Sequence, residues 1–188
     1  MRSTAVLLGV IAALIVLAVG AIWLLQSRAR SEHPERSVGT SANWFSVGVF
    51  QAAYWIEEGL QDLEQEDTTS AAGKLVEAEV SLQQAFTAAA IYGAALGEGY
   101  SFPLGIPVNI YASEIKQVRL RLARGNVLAP QRSQLLDDTG HDLRIIYEAL
   151  PEELLRKADR AETERAVAGL KEELRVDSVR GWLGDDTR

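Results

Sequence analysis

The sequence predicts an all-α protein: an N-terminal transmembrane helix, then an up-and-down bundle of four main helices and a charged fifth. Three observations predict it. Residues 4–25, TAVLLGVIAALIVLAVGAIWLL, carry no charge. As a helix they span about 33 Å, against a hydrocarbon core of about 30 Å. Beyond them, apolar residues recur at steps of three and four, the period of one helix face. The breaks between these runs are short, which makes successive helices antiparallel neighbours. The expected divisions are an anchor over 1–27, a polar linker over 28–42, the bundle over 43–150, the charged helix over 151–175 and a tail over 176–188.

The apolar run reads as a retained anchor. A cleavable leader has an apolar core of about 7–15 residues followed by small residues. Ala18-Val19-Gly20 imitates such a site, but the run continues through Leu25. Trp23 fits the interfacial belt, and Arg28 and Arg30 follow as headgroup partners. The arginines beyond the run outnumber Arg2 before it and pull toward a cytoplasmic bundle. The three-residue amino tail suits a signal anchor that sends its carboxyl side outward. The expectation is a single-pass protein of the cell membrane, its bundle extracytoplasmic and its lipid contact through residues 4–25.

Composition narrows the chemistry. The chain of 188 residues carries a net charge of −7 and no cysteine. Such a surface repels nucleic acid, and disulfide and thiolate chemistry are excluded. His33 stands alone in the linker, whose Pro34 and Gly39 suggest a semi-extended tether.

The first soluble helix is expected over 43–66. Phe45, Val49, Ala53, Ile56, Leu60 and Leu63 form one stripe. Trp44, Tyr54 and Trp55 lie partly off it, either widening the buried face or offering a partner surface. The second helix, over 68–97, carries a heptad seam like that of a coiled coil: Ala71, Leu75, Ala78, Leu82, Ala85, Ala89, Tyr92 and Leu96. Alanine at half of these positions permits close approach. Thr69 or Ser70 is the expected cap.

The loop EGYSFPLGIP over 98–107 places Tyr100, Phe102, Leu104 and Ile106 between glycines and prolines. It reads as a rigid lid on the bundle end. The third helix, over 108–124, aligns Val108, Tyr111, Ile115, Val118 and Leu122. The fourth, over 130–150, aligns Arg132, Leu136, Thr139, Leu143, Ile146 and Leu150 on one face, with Leu135 beside it. Over 152–175, thirteen of 24 residues are charged. That composition predicts a dispensable fifth helix outside the central core, one that either lies along the bundle on a narrow stripe or projects from it. The tail adds one cluster of Val179, Trp182 and Leu183.

No catalytic residue, cofactor or metal ligand is expected, and the chain is read as non-enzymatic. Asp137-Asp138-Thr139-Gly140-His141-Asp142 is the densest polar cluster, but a metal site of that kind needs more imidazoles than this sequence holds. The acids between Glu57 and Asp67 lack a glycine-punctuated calcium loop. Phosphate loops, serine elbows and zinc-protease helices are missing as well.

Two functions remain: a membrane-tethered scaffold that binds other proteins, or a small-molecule-binding bundle using residues 98–111. Candidate contacts are Trp44, Trp55, Tyr92, Tyr100, Phe102, Tyr111 and Trp182. A charge asymmetry also places the acidic first soluble helix beside the third or its following loop. Residues 37–73 hold no Lys or Arg, and residues 115–136 hold no acid.

Ala5, Gly9 and Ala13 recur every four residues in the anchor, a small-residue ladder through which two copies can pair as a homodimer. Gly9→Leu should therefore lower self-association of the Met1–Arg30 segment in a membrane cross-linking assay while insertion persists. Equal cross-linking in both would mean that the ladder is only composition.

Overall fold

The computed structural model describes residues 34–97 and 99–185, and these form seven helices and no strand. Among the described residues no helix is long and apolar enough to cross a membrane. The run over 4–25, with Ala5, Gly9 and Ala13, lies outside them.

Helix α1 (Pro34–Glu64) starts well inside the expected linker. Proline suits a helix's first turn because it lacks an N–H that would go unpaired there anyway. The polar letters of residues 37–41 disguise the extension. Val38 and Ala42 are nevertheless buried and prolong the stripe of Phe45, Val49, Ala53 and Ile56. Ser41 donates to the Val38 carbonyl at 3.1 Å, so its buried hydroxyl is satisfied within the helix.

A tight turn joins α1 to α2 (Thr68–Leu96). Glu66 takes φ 61°, and the Asp67 amide donates to the Asp62 carbonyl at 2.9 Å. Asp67 then caps α2 by accepting from the Ser70 amide at 2.9 Å. Ser70 donates its hydroxyl to the Asp62 carboxylate at 2.6 Å. The cap is thus Asp67, not Thr69 or Ser70. It stands one residue before the first turn, where its charge also opposes the helix dipole.

The α2 seam is buried as its spacing predicts, from Ala71 through Tyr92. Its alanines let α1 come close. A Cβ on Gly48 would stand 2.7 Å from the Ser81 carbonyl oxygen, so only glycine fits this crossing. Gly93 plays the same part beneath the loop, where a Cβ would meet the Phe102 amide and the Tyr100 carbonyl at 2.9 Å. Phe102 plugs the bundle end. Its ring lies edge-on to Phe45 at 5.0 Å and to Tyr92 at 5.2 Å.

Helices α3 (Gly105–Leu122) and α4 (Pro130–Ala149) bury the expected stripes, except that Arg132 at the start of α4 stays partly exposed, where its guanidinium reaches Glu114. The charge pairing differs from expectation. Glu57 of α1 pairs with Arg144 of α4, and Glu58 pairs with Lys74 of α2. Arg119 of α3 goes to Glu79 of α2, and Arg132 of α4 to Glu114 of α3. Among the described ion pairs none joins α1 to α3. Short connections make chain neighbours spatial neighbours, and pairs worth about 0–1 kcal/mol each do not overrule that.

The charged fifth helix is corrected most. It breaks into α5 (Glu152–Arg156) and α6 (Arg160–Leu170), and α7 (Asp177–Asp185) forms in the expected tail. Ala158 turns the chain with φ 55°, and Asp159 starts α6 by accepting from the Glu162 amide at 3.0 Å. The break lets sparse apolar residues all turn inward: Leu155, Val167, Leu170, Leu174, Val176 and Val179 join the core. Helix α6 packs on α4, and α7 packs on α3. The segment is therefore integral, not peripheral. A count of charges hid this, because a narrow stripe suffices once the chain bends twice.

Asp142 holds this return path. Its fully buried carboxylate accepts from the Tyr111 hydroxyl at 2.9 Å and from the amides of Arg175 and Val176 at 2.7 and 3.0 Å. One side chain thus joins α3, α4 and the segment leading into α7. Asp142→Ala would leave three donors unpaired, two of them buried, and should cost about 3–5 kcal/mol in urea denaturation. A loss below about 1 kcal/mol would show that those donors find other partners.

Candidate interaction surface

The exposed side of α1 carries the largest set of aromatic rings. Residues 44, 47, 51 and 54 follow helical steps, and they bring Trp44 and Tyr54 onto one outer face. Phe50 stands at its edge. Trp44, Phe50 and Tyr54 are each about half exposed, at 51%, 53% and 45%. Single exposed apolar residues are ordinary, but a run along one helix points to an interaction surface. Trp55 is half-buried. It contacts Tyr54 edge-on at 5.0 Å, and Lys74 of α2 lies 5.3 Å above a Trp55 ring.

Tyr147 of α4 extends the surface, its ring 5.2 Å from that of Phe50. Neither Phe50 nor Tyr147 stood out in the sequence. The available signal was their offset of one residue from the buried positions Val49 and Ile146.

The other candidate contacts divide. Tyr92, Phe102 and Tyr111 are buried and packed in the core. Tyr92 donates to the Leu155 carbonyl at 2.9 Å, tying α2 to α5. Tyr100 is half-buried under the Arg160 guanidinium, 4.4 Å from the ring centre, and its hydroxyl has no hydrogen-bond partner among the described residues. Trp182 is half-buried on α7.

The polar cluster on α4 is split by the helix. Asp142 points inward to its three donors. Asp137 and His141 line a shallow cleft of about 200 Å³ with Glu57, Arg144 and Arg175. Its charges already answer one another: Arg144 with Glu57, and Arg175 with Asp137 and Asp138 at 3.8 and 3.9 Å. Gly140 sets the width here, since a Cβ would meet Ile56 at 3.3 Å. Among the described residues no group of three or more His, Cys, Asp or Glu could hold a metal ion.

Burial raises three phenols. Tyr100 is pushed up to about 12, by burial first and by Glu164 second, with Arg160 opposing. Tyr111 is driven well above its usual range by burial, then by the Asp142 charge and hydrogen bond. Tyr92 is raised by burial, with Thr163 opposing.

Comparison with known proteins found no matching family model, no matching curated protein and no matching solved structure.

The raised phenols link stability to alkaline pH. The native state holds these protons more tightly than the unfolded chain, whose tyrosines titrate near about 10. Their contribution is complete below that value and is lost as pH climbs through the folded values. The loss is at most about 1.4 kcal/mol per pH unit for each tyrosine. Tyr100→Phe should flatten the fall of the urea midpoint between pH 10 and about 12. Identical slopes in wild type and variant would sink this account.

Proposed function

We propose that this chain is a non-enzymatic, membrane-tethered interaction protein. Residues 4–25 anchor it as a single-pass helix, and the bundle on the extracytoplasmic side docks a protein partner on the outer face of α1. The observation that carries the reading is the solvent-exposed row of Trp44 and Tyr54, bordered by Phe50, on a helix whose opposite face is fully packed. Trp and Tyr supply large contact areas at low entropic cost, and they dominate the energetics of binding surfaces. The alternative, a small molecule held by residues 98–111, has less support. Tyr92, Phe102 and Tyr111 spend their surfaces on core packing.

The test uses the full chain in its native membrane, with a photo-cross-linking residue replacing Gln51 on the same face. A discrete adduct should form, and Trp44→Ser with Tyr54→Ser should abolish it. Both positions are exposed, so thermal stability should stay within about 0.5 kcal/mol of wild type. An adduct of equal yield in the double variant, or none in the parent, would refute docking on this face.

A further inference from the structure

Where α1 passes the junction of α4 and α5, a cleft of about 260 Å³ opens. Phe50 and Tyr147 line it, with Glu148 from the end of α4 and Glu152 and Glu153 from the first turn of α5. Ser46, one helical turn before Phe50, lines it too. No Lys, Arg or His contributes to its wall. Arg156 pairs with Glu152. Glu148 and Glu153 have no ion-pair partner among the described residues.

Ser46 is the second, independent sign. It is only 5% exposed, and its hydroxyl meets no hydrogen-bond partner. The buried serines of the same helix pair behave differently. Ser81 donates to the Glu77 carbonyl at 2.8 Å, and Ser41 to that of Val38. A helical serine has such a carbonyl within reach, so a hydroxyl that leaves it unused is an acceptor and donor held in reserve.

We propose that this cleft binds an organic cation, an alkylammonium or guanidinium group. The inference goes beyond docking on the outer face of α1. Each part of the wall answers one property of such a group. Aromatic rings attract a cation to their faces and accept its alkyl carbons. Unpaired carboxylates supply opposite charge. The Ser46 hydroxyl, without a hydrogen-bond partner among the described residues, belongs to the same wall. The volume falls below that of ordinary ligand pockets, about 300–1,000 Å³, so it admits a head group rather than a whole cofactor. Acids in the first turn of α5 complement its helix end, which by itself accounts for Glu152 and Glu153. It accounts for neither Glu148, the ring pair nor the silent hydroxyl.

Two sources offer this chemistry: a free amine, or a Lys or Arg side chain on a peptide. The full chain in detergent micelles, labelled for nuclear magnetic resonance, is titrated with propylammonium, methylguanidinium and the neutral isostere propanol. A second arm uses the blocked single amino acids N-acetyl-lysine methylamide and N-acetyl-arginine methylamide. The cations should give saturable shifts confined to Ser46, Phe50, Tyr147 and their neighbours, and propanol should not. Phe50→Leu and Glu148→Gln should each weaken binding about three- to tenfold. Both residues are exposed, so both variants should fold. Tighter binding of the blocked amino acids would assign a peptide side chain; tighter binding of the simple amines would assign a free ligand. Equal shifts with propanol, failure to saturate, or unchanged affinity in both variants would overturn the proposal. Trp44 and Tyr54 line no part of the cleft, so its failure leaves docking on the outer face standing.

Discussion

A buried carboxylate is tolerated only when its lost hydration is replaced in full, and Asp142 is the place where this constraint organises the protein. The three donors come from two separate parts of the chain: a phenol on α3, and two successive amides just before α7. Neither apolar packing nor helix propensity demands that these parts meet at one point. Directional bonds do. The burial that would otherwise penalise the charge strengthens each bond to it, and the phenol is held protonated as a donor by the same environment. The carboxyl-terminal segment is thereby fixed against α3 and α4, and its few apolar residues can fill the space between them.

The contact of α1 and the loop with α2 relies on close approach. Alanines along α2 and Gly48 on α1 bring the two backbones together, and Gly93 brings the loop down onto α2. Phe102 then fills the opening with two edge-on ring contacts. Tyr92 completes the closure by bonding to the α5 backbone, its ring in the core and its hydroxyl at the junction with the charged segment. Small residues set the distance between elements, and large rings fill what remains. Replacing either kind with an average side chain would damage the interior, since packed cores tolerate little change in volume.

Polar residues are spent in two ways on this framework. Across the middle of the bundle they cancel in pairs between neighbouring helices, from α1 to α2 and α4, and from α3 to α2 and α4. Near the α4–α5 junction they cancel only in part. Arg156 answers Glu152, but Glu148 and Glu153 have no ion-pair partner among the described residues and stand beside two exposed rings. Among the described residues the cleft at His141 is therefore self-neutralised, and the cleft at Phe50 keeps unanswered negative charge. The distinction arises from where Arg144 and Arg175 reach, not from how many acids each region holds.

The sequence by itself determined the all-helical class and the buried stripes of the four main helices. A residue's helical face is a local property, so spacing alone places Phe45, Leu75, Val108 and Leu143 inside. It also marked the lid, because the prolines at 103 and 107 restrict the chain beside Phe102. Tertiary structure decided what depends on residues distant in sequence. It drew α1 back to Pro34 and took Val38 and Ala42 into the core. It made Asp142 a tie instead of part of a polar face, because Tyr111 and the amides of Arg175 and Val176 lie more than thirty positions away. It turned a charged stretch into part of the core, since two bends changed which side chains faced inward. Phe50 and Tyr147, nearly a hundred residues apart, share a cleft only because α1 and α4 are neighbours. Periodicity records which face of a helix is buried. It carries no record of the partner that buries it.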